Sequence, residues 1–168
     1  MSQVSGVGKF SGSLALALAW MIGIGVVAPP LADASSRRNA TVEAIARLQN
    51  SGQRWIEIKL SSQRLIAWEG NQPIYAVLIS TGKAASPTPT GVFAIQTRIR
   101  SARMQGIDYN VPDVPYTMYY SGNYAIHGAY WHHRFGTPVS HGCVNVAVNH
   151  ARWLFNWARV GTSVVVHR

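Results

Sequence analysis

Residues 55–79 read WIEIKLSSQRLIAWEGNQPIYAVLI. Ile56, Ile58 and Leu60 alternate with Glu57 and Lys59, the period of two that belongs to a strand with one wet face. Ser61-Ser62-Gln63 turns the chain into a second β-rich run, Leu65, Ile66 and Trp68. Glu69-Gly70-Asn71-Gln72 turns it again into Ile74 to Ile79. Three β-rich runs joined by two short turns predict a meander of hairpins. Downstream, Ser86-Pro87-Thr88-Pro89-Thr90-Gly91 has too much proline for a central strand and is expected to be a loop. Val92 to Ile99 is again strand-like. Residues 100–115, with Gly106, Pro112 and Pro115, are expected to form a long irregular loop of the lid or binding kind. Tyr116 to Tyr120 and Tyr124 to His127 are two more short strands. Ala147, His150, Ala151, Leu154, Phe155 and Ala158 recur at helical spacing, so residues 147–158 form the clearest helix. Gly161 ends it, and Val164 to Val166 is a closing strand. Upstream, Thr41 to Asn50 suits a short amphipathic helix after a frayed 35–40. The pattern is mainly β: one domain with one substantial helix near the C-terminus.

The totals narrow the function. The chain has 168 residues, 48% hydrophobic, and one cysteine. That count excludes an intramolecular disulfide and any zinc site needing two thiolates. Lys9 precedes an apolar run from Leu14 to Ala28, and Ala32-Asp33-Ala34 closes it with an A-x-A ending. Those are the three parts of a secretory signal peptide, with an uncleaved N-terminal anchor as the alternative. The expected organisation is 1–34 signal peptide or anchor, 35–53 polar linker with a short helix, and 54–168 the functional domain. Either N-terminal reading exports the domain, and the membrane is a partner only if the segment stays uncleaved. Fifteen Lys and Arg face six Asp and Glu, a net charge of +9. The arginines are scattered and no nucleic-acid motif frames them, so the expected anionic partner is the cell envelope rather than nucleic acid.

The chemistry gathers in Ile126 to Asn145, which holds His127, His132, His133, His141 and Cys143. A lone thiol outside the membrane is either inert and buried or kept for reactivity. Around Cys143 stand Ser140, His141, Gly142 and Asn145, with only Val144 apolar, which favours reactivity. An imidazole can take a thiol's proton, and two are at hand: His127, sixteen positions upstream, and His141, two positions away. The Gly142 and Cys143 N–H groups are candidate oxyanion donors. His132 and His133 are expected on the surface or in a loop. A metal site of Cys143, His127, His141 and water has legal ligand types, but no carboxylate is nearby and the spacing fits no metal motif.

These residues resemble the L,D-transpeptidase catalytic domain family. The resemblance rests on His127-Gly128 followed by Ser140-His141-Gly142-Cys143-Val144-Asn145. It extends to Trp55 to Ile58 with Gln63-Arg64-Leu65, to Ser80-Thr81-Gly82-Lys83, and to Thr88-Pro89-Thr90-Gly91. It implies a β-sandwich of mixed sheets with a helix beside it. It implies that Cys143 attacks the L-centre carbonyl of the third residue of a peptidoglycan tetrapeptide stem. D-Alanine leaves, and an amine of a second stem takes the acyl group to form a 3→3 cross-link. It further implies His127 as base and acid, steadied by a backbone carbonyl. Ser140, His141, Gly142 and Gly128 would shape the oxyanion site, and Asn145 and Trp131 would line the cleft. Tyr119 and Tyr130 are weaker candidates. No metal or organic cofactor is implied, and acylation by carbapenems is. Water as acceptor, giving an L,D-carboxypeptidase or cross-link hydrolase, and a silent wall-binding module remain alternatives. A papain-like order would put the Cys first, and a sortase-like one would need a wider gap.

Overall fold

The computed structural model describes residues 32–168, so the expected signal segment lies outside the described residues except for its last three positions. The chain order is α1 (Ala32–Gln49), β1 (Arg54–Lys59), β2 (Arg64–Glu69), β3 (Gln72–Ser80), β4 (Gly91–Ala94), β5 (Thr97–Gln105), β6 (Asn110–Ser121), β7 (Tyr124–Gly128), β8 (Val144–Val146), α2 (Val148–Trp157) and β9 (Ser163–His167). The expected meander is present: β1 pairs antiparallel with β2, and β2 with β3. β9 joins the outer side of β1 in parallel, and β8 lies between β3 and β7, parallel to β7.

The strands form one row, β4-β9-β1-β2-β3-β8-β7-β6-β5. Its two end strands are neighbours in sequence, linked only by Ile95 and Gln96. A flat row of this width would hold its ends about 38 Å apart at ~4.8 Å per strand. The link can span only about 11 Å. The row must therefore curl until its ends meet, enclosing a core from both halves. Ile56, Ile58, Leu65 and Ala67 from one half meet Met118, Tyr120, Ile126, Val144 and Val146 from the other. Phe93 on β4 reaches Tyr120 on β6, ring centroids 5.5 Å apart. This is the mainly-β sandwich of mixed strand direction. α2 packs Ala151, Leu154 and Phe155 onto the same core. Leu154→Ala would cost about 2–5 kcal/mol, the usual range for a fully buried leucine.

Three expectations need correction. Val92 to Ile99 is not one strand. Ile95 exchanges hydrogen bonds with Thr162 and Gly161 on the β9 side, whereas the Gln96 N–H goes to the Tyr119 carbonyl on β6. The chain changes halves of the sheet between them. Residues 100–115 are not an irregular loop but most of a long hairpin, β5 against β6, turning at residues 106–109. Its prolines are tolerated because β6 is irregular there. Asp113 and Tyr116 take left-handed φ of 50° and 57°, and the register slips between Ala102 and Met104. Strand prolines are confined to such places. Finally, α1 starts at Ala32, so residues 35–40 are helical rather than frayed. The helix docks on the domain through Leu48, which packs with Trp55 and Val165.

Candidate active site

Cys143 and His127 meet because β7 and β8 are parallel neighbours. The register pairs Ile126 with Val144 and His127 with Asn145, so the two halves of the motif lie side by side. Cys143 sits one position before β8, partly exposed, its thiol 3.6 Å from the Asn123 carbonyl. Cys143, His127, Ser140, His141, Asn145 and Trp131 line one cleft of about 50 Å3. Met104, Tyr109 and Val111, from the β5–β6 hairpin, complete it.

The loop carrying Cys143 is tightly held. The Ser140 hydroxyl donates to the Cys143 carbonyl at 2.5 Å and accepts the Gly142 N–H at 3.0 Å. Gly142 has φ +117°, and a Cβ there would come within 2.6 Å of the Tyr124 ring, so only glycine fits. Thr88 is buried and bridges two loops: it donates to the Gly142 carbonyl at 2.7 Å and accepts the Gly82 N–H at 2.9 Å. The Val139 and Ser140 N–H groups go to the Thr81 carbonyl, and the Lys83 N–H to the Ser140 carbonyl. Thr81 is itself clasped by Gln63, whose side-chain amide accepts its N–H at 2.9 Å and donates to its hydroxyl at 2.8 Å. These contacts explain why Ser80 to Lys83 and Thr88 to Gly91 accompany the cysteine motif: they are its scaffold. They also correct one expectation. The Gly142 N–H is already taken by Ser140, so it is not an open oxyanion donor.

His127 is 2% exposed, with Nδ1 3.0 Å from the Gly128 carbonyl. Burial pulls its pKa down to about 4, opposed by that bond and assisted by His132. The ring is therefore neutral at pH 7. A neutral imidazole that donates from Nδ1 to a carbonyl carries its lone pair on Nε2. Burial also pushes the Cys143 thiol up, offset in part by a hydrogen bond from the Ala125 backbone. The two groups that share the cleft are thus a neutral thiol and a neutral imidazole. Gly128 cannot be enlarged, because a Cβ would approach Pro115 to 2.9 Å.

His141 is brought to the cleft but turned elsewhere. Its Nε2 is 3.1 Å from Asp108 and 3.4 Å from the Lys83 ammonium, and Tyr109 stacks on its ring at 4.8 Å. Trp131, 41% exposed, lies 5.7 Å from the His127 ring. Asn145 is buried, its side-chain amide 2.9 Å from His132 Nε2. His132, half-buried, and His133, exposed, both lie in the loop after β7, as expected, and His132 braces Asn145 from outside the cleft lining. Tyr109 and Tyr119 are held above the usual phenol range, first by burial and then by the nearby Cys143. Tyr130 hydrogen-bonds the Pro112 carbonyl at 2.8 Å and braces the hairpin. Asp108 and Tyr109 are site neighbours that the sequence reading did not single out, and Gln63 and Thr88 stood there only within matched motifs, with no role of their own. Asp108 and Tyr109 fell inside the segment read as irregular, 33 and 32 positions before His141. Among the described residues, no group of His, Cys, Asp or Glu is arranged to hold a metal.

Residues 53–166 match the L,D-transpeptidase catalytic domain (YkuD). L,D-transpeptidase 2 of Mycobacterium tuberculosis is 31% identical over 100 residues, covering 52% of this chain and 24% of that protein. The crystal structure of an Enterococcus faecium L,D-transpeptidase superposes with a TM-score of 0.65 at 28% identity, covering 68% of this chain and 49% of that one. L,D-transpeptidase 3 of Mycobacterium tuberculosis, in complex with a faropenem-derived adduct, superposes with a TM-score of 0.63 at 20% identity, covering 68% and 60%. The chain thus spans about a quarter to three fifths of these proteins' lengths. With the matched span covering the curled sheet, α2 and the His127–Cys143 cleft, the chain belongs to the L,D-transpeptidase catalytic domain family.

Proposed function

We propose that this domain is a cysteine-dependent peptidoglycan L,D-transpeptidase acting through a Cys143 thioester. The observation that carries the reading is the parallel pairing of β7 and β8. It puts His127, its tautomer fixed by the Gly128 carbonyl, in one cleft with the chain's only thiol. His127 Nε2 takes the thiol proton as Sγ bonds to the L-centre carbonyl carbon of a tetrapeptide stem. The same imidazolium returns that proton to the nitrogen of D-alanine as the C–N bond breaks. A second stem's amine then attacks the thioester carbon and loses its proton to His127; the C–S bond breaks, the new amide is the 3→3 cross-link, and His127 returns the proton to the departing Cys143 thiolate. Because the resting pair is neutral, the thiolate arises by general-base transfer rather than standing preformed. The Cys143 N–H is the motif's donor to the developing oxyanion, Gly142's being committed. Ser140 and Gly142 hold the loop, His141 and Asn145 form the walls, and Trp131 covers the mouth. The reading invokes no cofactor.

The domain works outside the cytoplasmic membrane, on an anionic wall that suits the +9 charge. Residues 1–34 act as signal or anchor, 35–53 carry the docked helix, and 54–168 form the catalytic domain. The test is incubation with a disaccharide tetrapeptide and identification of products by mass. Loss of D-alanine with a 3→3 dimer is expected. Loss of D-alanine with no dimer would assign water as the acceptor, and no loss would overturn the reading.

A further inference from the structure

Both ring nitrogens of His132 are engaged, and their partners fix where its proton sits. The Arg134 backbone N–H donates to Nδ1 at 3.2 Å, and the Asn145 side-chain amide lies 2.9 Å from Nε2. A half-turn of the ring would put carbon at both places and lose both bonds. Trp131 and Phe135 flank the ring, their centroids 6.3 and 5.1 Å from its own. A backbone N–H can only donate, so Nδ1 is an acceptor and carries no proton. Burial first, then Arg134 and His133, hold the His132 pKa below the ordinary histidine value, so the ring is neutral at pH 7. A neutral imidazole has one N–H, and here it belongs to Nε2. That N–H faces Asn145, which must meet it with Oδ1. An amide's oxygen and nitrogen are told apart by such partners. The Nδ2 arm is then the one turned away from His132. Among the described residues no other hydrogen bond reaches that amide, and its second arm is not sealed from solvent. Asn145 lines the Cys143 cleft and His132 does not, so the second arm opens into the cleft.

The strands aim that arm at the reacting atoms. Asn145 is the β8 partner of His127 on β7, and paired strands stand about 4.8 Å apart. Cys143 lies two positions before Asn145, and alternate residues of an extended run share a face. All three line the same cleft. The site also lacks a donor. Ser140 has taken the Gly142 N–H, which leaves the motif's own contribution to a developing oxyanion at the Cys143 N–H.

We propose that His132 is a positioning residue: by donating from Nε2 to Asn145 Oδ1 it turns the Asn145 Nδ2 N–H into the cleft, as a second donor to the acyl oxygen of the substrate bound at Cys143. The role in acylation rests on the acyl-transfer reading above, whereas the place of the proton on His132 does not. Nitrogen-15 NMR of the imidazole rings, with His132→Gln to assign the signals, reads that place directly. Nε2 should carry the proton at pH 7 and Nδ1 should be bare. A proton on Nδ1 would overturn the proposal. Asn145→Asp keeps the side chain's shape and its acceptance of the His132 N–H, but replaces the donor arm by an acceptor oxygen. It should slow acylation of Cys143 by a carbapenem at least about 100-fold, as loss of an oxyanion donor does, with the affinity of the first noncovalent complex held within about threefold. His132→Phe should slow acylation about tenfold, and His132→Gln, which can donate again, should stay within about threefold of wild type. Because His132 acts through Asn145, His132→Phe should add no further loss in the Asn145→Ala protein. Acylation of Asn145→Asp at the wild-type rate would overturn the proposal. So would a loss from His132→Phe that is the same with and without Asn145→Ala. A wild-type protein that forms no acyl-enzyme would overturn the acyl-transfer reading, and the position of the ring proton would still decide how His132 holds Asn145.

Discussion

The loop that carries Cys143 and the hairpin tip that faces it close the same cleft by different means. The loop is held by buried groups: Thr88 bonded to Gly82 and Gly142, Ser140 to Gly142 and Cys143, and Gln63 to Thr81. The tip of the β5–β6 hairpin is held by Asp108 to His141, with side chains 65% and 38% exposed, and by the stack of Tyr109 on His141. Buried, fully paired networks fix geometry, whereas exposed ion pairs are worth about 0–1 kcal/mol. The difference separates two tasks. On the proposed acyl-transfer reading, the reacting atoms are positioned in advance, and access is governed by the element that opens at least cost. The cleft holds about 50 Å3, and the hairpin tip is the wall whose displacement enlarges it most cheaply.

Substitutions can break either side of this contrast. The largest effect should come from His127→Gln, which keeps a side-chain donor for the Gly128 carbonyl but removes the base. Acylation should fall by about 100- to 10,000-fold, the range for loss of a general base, with the fold intact by circular dichroism. Next is the pH response of stability. His127 titrates at about 4 when folded and near 6.5 when unfolded, so between those values the unfolded chain binds more protons. Its contribution is whole above about pH 6.5 and is lost as the pH falls to 4. The loss is about 3 kcal/mol at ~1.36 kcal/mol per pH unit. Urea melts across that window should show the slope, and His127→Gln should flatten it. Thr88→Val should come third. It leaves the Gly82 N–H and the Gly142 carbonyl unpaired, costing about 1–3 kcal/mol and slowing acylation, while Thr88→Ser should behave like wild type. Smallest is Asp108→Asn. Melting should change by under about 1 kcal/mol, and acylation by a bulky carbapenem should quicken by no more than about fivefold.

The parts of the fold legible in the sequence were those with local signatures. The alternation from Ile56 to Ile79 gave the meander, and the spacing of Ala151, Leu154 and Phe155 gave α2. Residues 100–115 were misread because Pro112 and Pro115 normally exclude a strand. Only the left-handed turns at Asp113 and Tyr116, which tertiary packing sustains, let β6 continue past them. β8 is three residues long and carried no periodicity of its own. Within the site, Cys143 and His127 stood out by residue type. Gln63 did not, because its role lies in a contact with Thr81, 18 positions away, and nothing in its own turn announces that. Asp108 is the same case across 33 positions. Long-range pairings made by ordinary polar residues leave no local mark.

The central claim is that Cys143 is the acylated nucleophile. Intact-mass measurement after incubation with a carbapenem tests it most directly. The account predicts one covalent adduct, mapped by peptide digestion to Cys143 and absent from Cys143→Ala. No adduct on the wild-type protein, or an adduct that persists in Cys143→Ala, would contradict it.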